Sequence, residues 1–400
     1  MRISTSMIFD LGSGSMSDAQ AALFKTQEQM SSNRRMLSPS DDPAAASTAL
    51  KVSQGIAVTK QQQDNQSAAT NTLSQAESAL GSTSDLLQSA TQLLLSGQNA
   101  TMSQGDRNAI VAQLQGMQQQ LLTLANSRDG AGGYLFAGYS ENTQPFTQGT
   151  GAVTYNGDDG VRSLEVAPGR NMDVSSGGAD TFMRIKNGNG VFATGAGSAN
   201  TGGGTIDSGS VSNPAALTGH AYQLNFSVSG GNTTYDVVDT TTGTSVSTNN
   251  AFTPGASINL AGQQFTISGA PAAGDSFTVS PSSNQSVFQM LADGIAALSN
   301  GSLSSSVRTS QVNAAVANMY QAQDKISLAR AGLGSNMNEV TTLTSISASA
   351  VTSQKTRLGD LTDLDYAAAT TQLSEQQTAL QAAQQTFGKV TKTNLFSYLA

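Results

Sequence analysis

The sequence contains no cysteine and a single histidine, His220. Without cysteine there are no structural disulfides, no thiolate-held zinc and no cysteine nucleophile. One histidine cannot form a His-Glu-x-x-His zinc helix. A catalytic imidazole also needs a nucleophile or metal co-ligand beside it, and His220 has no evident partner, so it reads as a surface or turn residue. Charge is scarce: 12% of the 400 residues are charged and 38% are apolar, a mix that disfavours one large compact core. The formal net charge is -8, and no Lys or Arg occurs between Asn187 and Val307. Nucleic acid and anionic membrane surfaces both require clustered cations, so neither is an expected partner. No stretch approaches the roughly 18 apolar residues of a spanning helix, so membrane insertion is not expected. Met1 to Asp10 holds no continuous apolar run of signal-peptide type, so export by a cleaved signal is not expected either.

What is present is a seven-residue apolar repeat at both ends of the chain. Met16, Leu23, Met30 and Leu37 recur every seven residues near the N-terminus, and Leu373, Leu380 and Phe387 do so near the C-terminus. A period of seven places one side chain every two turns on one narrow helix stripe. Such a stripe cannot bury itself alone, so the sequence points to assembly before chemistry. Between these ends, Leu73, Leu80, Leu87 and Leu94 form a second stripe, and Val312, Met319, Ile326, Leu333 and Val340 a third. The spacing predicts that the second and third pack in an antiparallel bundle. Ile110, Leu114, Met117, Leu121 and Leu124 predict a further helix that Asp129-Gly130 ends.

Ser38-Pro39-Ser40-Asp41-Asp42-Pro43 separates the first stripe from the second. Asp42 suits a helix N-cap and Pro43 the first helical position, because the cap accepts from free backbone N–H groups and proline has none to leave unpaired. From about Gly138 to Pro281 the style changes to Gly, Thr, Ser and Asn. Tyr222 to Val228 alternates as a half-buried strand. Thr234 to Val238, Ser257 to Leu260, Gln264 to Ile267 and Ser276 to Val279 are further strands, with a hairpin turn at Gly230-Gly231-Asn232. Gly195 to Gly209 reads as a linker or mobile loop. Tyr134, Phe136, Tyr139 and Phe146 form the densest aromatic cluster and read as a small core joining helices to the β insert.

The fold class is therefore mainly α with a β insert. A discontinuous long-helix bundle is formed by the N- and C-terminal segments, and the central region supplies one or two small antiparallel β modules. The expected divisions are 1–38 with 355–400 as a terminal coiled coil, disordered in the monomer; 39–138 with 284–354 as the bundle; 139–184 as a small β module; and 185–283 as a second. No catalytic residue, metal ligand or cofactor site emerges. Asn156-Gly157-Asp158-Asp159-Gly160 lacks the spacing of a calcium loop and reads as a β-turn.

Several motifs carry a family resemblance. Met1-Arg2-Ile3-Ser4-Thr5, the Ser38-to-Ala44 break and the end Asn394-Leu395-Phe396-Ser397-Tyr398-Leu399 resemble the flagellin superfamily of axial proteins. Tyr134-Leu135-Phe136-Ala137-Gly138-Tyr139 followed by Pro145-Phe146 resembles, more narrowly, the hook-associated protein 3 family of hook–filament junction proteins. The resemblance covers residues 1 to 184 and 284 to 400. It implies a structural protein that is not an enzyme, needs no cofactor and leaves the cell through the flagellar type III export channel to reside in the extracellular flagellum. The implied partners are further copies of itself, the first hook–filament junction protein, flagellin and an export chaperone. It also implies that Met16, Leu23, Met30, Leu37, Leu373, Leu380 and Phe387 are assembly contacts, with Leu395, Phe396 and Leu399 closing the inner core. Flagellin itself is the alternative; a secreted enzyme or an adhesin carried by the β insert is remoter.

Overall fold

The computed structural model describes residues 5–392. The described residues form six α-helices: α1 (Thr5–Ser32), α2 (Pro43–Gly97), α3 (Gln104–Ala125), α4 (Val287–Ser299), α5 (Ser305–Thr362) and α6 (Tyr366–Lys392). The chain divides into two compact units, Met1–Asp64 with Thr344–Ala400 and Asn65–Leu343. The long helices α2 and α5 each contribute to both.

In the larger unit, Leu73, Leu80, Leu87 and Leu94 of α2 and Val312, Met319, Ile326, Leu333 and Val340 of α5 are all buried in one core. Burying one such side chain contributes about 1.5–3 kcal/mol, so these stripes hold the unit together. Polar contacts at its margin fix the direction of packing. Gln98 reaches Asn313, Gln323 reaches Thr91, and Arg330 pairs with Glu77. Numbers fall along α2 as they rise along α5, so the two helices are antiparallel. Gly332 and Gly334 remain inside α5 despite glycine's poor propensity, because the buried stripe on either side outweighs about 1 kcal/mol per glycine. Reciprocal glycine–leucine contacts bring α4 against α2: a Cβ on Gly294 would lie 2.7 Å from Leu94, and one on Gly97 would lie 2.7 Å from Leu298.

A first β layer lies on this core. Strands β1 (Phe146–Gln148) and β2 (Val153–Tyr155) form one hairpin, and β3 (Ser163–Ala167) and β4 (Arg170–Asp173) another. Their inner residues Phe146, Val153, Val166 and Met172 belong to the helical core. A second β layer has its own core. It is entered by β5 (Ile185–Lys186) and contains β6 (Phe192–Ala196), β7 (Thr205–Ile206), β8 (Ser210–Val211), β9 (Tyr222–Ser229), β10 (Asn232–Asp239), β11 (Thr244–Ala251), β12 (Ser257–Leu260), β13 (Gln263–Ser268) and β14 (Ser276–Pro281). The chain leaves by β15 (Asn284–Gln285), which pairs antiparallel with β5. One sheet has the order β11-β10-β9-β14-β6, and a second is built on β12-β13-β7 with β8 also on β13. Phe192, Leu224, Phe226, Phe265, Ile267 and Phe277 fill the space between them.

Gly195 to Gly209 is not a linker. It contributes to β6 and β7, and its turn is pinned: buried Asp275 accepts from the backbone N–H groups of Thr201 and Gly202, and Asn200 bonds both ways with Ser276. The glycines there serve close approach, since a Cβ on Gly202 would meet the Ala272 nitrogen at 2.3 Å.

Candidate assembly interface

The terminal unit contains a helical hairpin of α1 and α6. At its closed end Arg34 and Asp363 form an antiparallel bridge, and Arg35 N–H donates to Thr362 O at 2.8 Å. At the far end, the ring of Phe387 stacks obliquely on Phe9 at 5.1 Å and covers Gly12. Met16, Leu23 and Met30 are half-buried on the inner face of α1, alternating with Gly12, Ala19 and Thr26. Leu373, Leu380 and Phe387 do the same on α6, alternating with Ala369, Gln376 and Ala383.

Across the seam the Phe387 ring covers Gly12, and the positions between the heptad residues are mostly small: Gly12, Ala19 and Thr26 on α1, Ala369 and Ala383 on α6. These small partners were missed in the sequence. Their signal was the three–four alternation of Gly, Ala and Thr between the heptad positions, which is what knobs-into-holes packing requires. Near the open end of the hairpin, apolar side chains of α1 remain unburied: Met7 is 57%, Phe9 53% and Leu11 67% exposed.

Leu37 does not lie on this stripe. α1 ends at Ser32, and Asn33 turns the chain with a φ of 54°, a conformation asparagine tolerates better than most residues. Leu37 falls in the following loop and helps line an apolar groove of about 710 Å³ with Met36, Pro39, Pro43, Leu50 and Leu358. Asp41 organises this loop. Its carboxylate accepts from Leu37 N–H at 2.9 Å and Ser38 N–H at 3.0 Å, and pairs with Lys25 at 2.7 Å. Asp42 Oδ1 accepts from Ala45 N–H at 3.0 Å, and Pro43 is the first residue of α2.

The hydrogen bond from Lys25, then those from Ser38 and Leu37, hold the Asp41 carboxyl down at about 2, below its ordinary 3.8. A lowered carboxyl pKa stabilises the fold fully above its unfolded value, and that contribution is lost as pH falls through the folded value. The loop is therefore expected to loosen between pH about 4 and about 2. Amide hydrogen exchange at Leu37 and Ser38 tests this: Asp41→Asn should flatten the pH dependence, and an unchanged profile would remove the assigned cause.

The aromatic cluster is only partly as the sequence suggested. Phe136 and Phe146 are fully buried and Tyr134 is buried. Tyr139, by contrast, is 69% exposed, because Gly138 reverses the chain at a φ of 72°. Phe182 and Phe288 complete the cluster instead, with ring centroids 5.3 and 5.5 Å from Phe146. The Asn156-to-Gly160 segment is a turn in which Asp158 accepts from Tyr139 N–H, Ser140 and Gly160 N–H. The neighbouring Tyr155 phenol is pushed up to about 12 by burial and by the charges of Asp158 and Asp159.

His220 Nδ1 lies 2.7 Å from Asp239 Oδ2. Burial opposes ionisation of Asp239, but hydrogen bonds from Thr242, His220 and Thr241 outweigh it and hold its carboxyl below the usual range. Among the described residues there is no group of three or more His, Cys, Asp or Glu placed to hold a metal. No described helix is long and apolar enough to cross a membrane. Leu395, Phe396 and Leu399 lie outside the described residues.

Residues 3–141 match the bacterial flagellin N-terminal helical region. Over 185 residues the chain is 38% identical to flagellar hook-associated protein 3 of Salmonella typhimurium; the match covers 46% of this chain and 58% of that protein. The crystal structure of FlgL from Xanthomonas campestris matches with 32% identity and a TM-score of 0.70, over 77% of this chain and 99% of that one. The hook-associated protein 3 structure from Legionella pneumophila matches with 29% identity and a TM-score of 0.72, over 78% of this chain and 98% of that one. At 32% identity across 99% of the Xanthomonas campestris protein of known structure, the chain belongs to the FlgL family of flagellar hook-associated proteins.

Proposed function

We propose that the chain is a structural adaptor of the bacterial flagellum, joining the hook-side junction protein to the flagellin filament. The observation that carries this is the terminal hairpin: its large seam side chains are only half-buried within one copy, while Met7, Phe9 and Leu11 stay exposed. A thin coiled coil with unburied apolar surface gains stability when neighbours cover it. In this reading Met16, Leu23, Met30, Leu37, Leu373, Leu380 and Phe387 sit at or beside contacts between copies, and Leu395, Phe396 and Leu399 join them. Partners are further copies, the first junction protein, flagellin and an export chaperone, with export through the flagellar channel.

Deleting the gene is expected to leave hooks without filaments and to release unpolymerised flagellin into the medium, seen by electron microscopy and an assay of the supernatant. Normal filaments would reject an essential junction role. Loss of the main filament protein itself would make the chain a flagellin, the alternative reading.

Segments 1–38 and 355–400 are proposed to be disordered in the free monomer and to order on docking. Limited proteolysis of the monomer is expected to trim both ends first and leave the bundle intact. Ends that resist as long as the bundle would overturn this.

A further inference from the structure

The second β layer meets the bundle in two ways. One is the tether, where β5 pairs with β15 and Asn187 N–H continues the ladder to Ser283 O at 3.1 Å. The other is the opening stretch of α5. Ser304, just before that helix, donates its hydroxyl to Asn200 O at 3.3 Å, and Ser306 donates to Gly202 O at 2.6 Å. Ser310 Oγ accepts from Ile206 N–H at 3.3 Å, and Asn318 Oδ1 accepts from Gly188 N–H at 2.6 Å. From Ser304 to Asn318 these four side chains span about 20 Å of helix. All four meet backbone groups between Gly188 and Ile206, and Ser310 and Asn318 are only 3% and 8% exposed.

The joint is mainly polar. The helical core and the core of the second layer share no residue, and the buried Val307 belongs to neither. Two clefts flank the contact. One, of about 380 Å³, lies at the Asn318 end and is lined by Asn187, Thr194, Ser208, Gln285 and Asp293. The other, of about 440 Å³, lies at the Ser304 end and is lined by Thr201, Gly203, Thr205, Ser305 and Thr309. Parting such surfaces exchanges protein hydrogen bonds for water at small net cost, whereas parting an apolar core forfeits its buried area.

We propose that Ser304, Ser306, Ser310 and Asn318 form a latch. They fix the bearing of the second β layer on α5, and their release lets the folded layer swing on its β5–β15 tether. The tether alone does not set that bearing, because a ribbon of two residue pairs is too short to be stiff. The layer carries its own core with it, so opening exposes polar groups and leaves both cores closed. This inference stands apart from the junction role.

The test is amide hydrogen exchange across the full chain, with Ser306→Ala and Ser310→Ala combined. Gly188 is the readout, since its partner Asn318 is untouched by the substitutions. Each net hydrogen bond biases an opening equilibrium about 2- to 12-fold, so exchange at Gly188 is expected to rise about 10-fold, in step with Ile206. Protection across β9, β13 and β14 is expected to stay at the wild-type level. The chain has no cysteine, so Thr248→Cys on β11 and Leu328→Cys on α5, both exposed, can carry a pair of spin labels. Their distance distribution is expected to be narrow with the latch intact and broad in the double variant. Ser306→Thr, which keeps the hydroxyl, is expected to behave as wild type. Faster exchange at Ile206 alone, or an unchanged distance distribution, would show that the serines do not set the bearing. Loss of protection throughout β9 to β14 would mean that they hold the layer folded, and would equally overturn the latch. If the double variant does not fold, Asn318→Ala read at Ile206 decides on the same terms.

Discussion

Replacing Phe182 by alanine is expected to cost about 3–5 kcal/mol of stability in the larger unit. The ring is fully buried and packs edge-on against Phe136 at 5.2 Å and Phe146 at 5.3 Å, with Phe288 stacked at 6.3 Å. Removing it loses transfer free energy, leaves a cavity and breaks aromatic pairs that contribute about 0.5–1.5 kcal/mol each. It stands on a single π-helical turn, Ala179–Met183, between the first β layer and the stalk to the second. The cluster cannot collapse easily around the gap, because its other members are held by α4, β1 and the Tyr134-to-Ala137 segment. Native stability is only about 5–15 kcal/mol in a typical domain, so the loss would be a large fraction of the total. Chemical denaturation of the full chain measures it. A cost below about 1 kcal/mol would show that the cluster is peripheral to this core.

Gly12→Leu is expected to abolish junction function while sparing the larger unit. A Cβ at Gly12 would lie 2.7 Å from the Phe387 ring, inside any real contact distance. Overpacking a fitted site costs about 1–3 kcal/mol. The hairpin has little reserve, since its seam is thin and half-exposed, and every copy in an assembled layer would carry the same defect. Motility should be lost, with circular dichroism of the bundle unchanged. Phe387→Ala in the same chain should restore part of the function by returning the lost volume, because residues in contact do not behave additively. A functional Gly12→Leu variant would mean that the α1–α6 register seen here is not the one used in the assembled state.

The buried heptads of α2 and α5 were legible because a period of seven survives wherever a helix is straight and one face is dry. The same rule failed at Leu37. It stands seven residues beyond Met30, but the chain has already turned at Asn33, and periodicity counts residues without sensing a left-handed backbone. Strand β11 went unread for a different reason. As an edge strand with mostly exposed Thr, Ser and Asn, it lacks the apolar alternation that marked β9. Glycine was read as slack at Gly195 to Gly209, although there it permits tight contact. Tyr139 was assigned to the aromatic core by proximity in sequence, which cannot register the reversal at Gly138. Of the interface, the large side chains were legible and their small partners were not, because Ala, Gly and Thr carry no hydrophobic signal until a facing helix is known.

The pairing of β5 with β15 sets the two ends of the second β layer side by side. Adjacent strands lie about 5 Å apart, so everything from Asn187 to Ser283 leaves and re-enters the bundle through a single narrow doorway. Whatever is threaded there adds no length between α3 and α4 as those helices experience it. The outward face of the protein can therefore be enlarged, shrunk or exchanged for another fold while the helical frame keeps its dimensions. In the proposed junction role, this separates the part that has to fit from the part that is free to diversify.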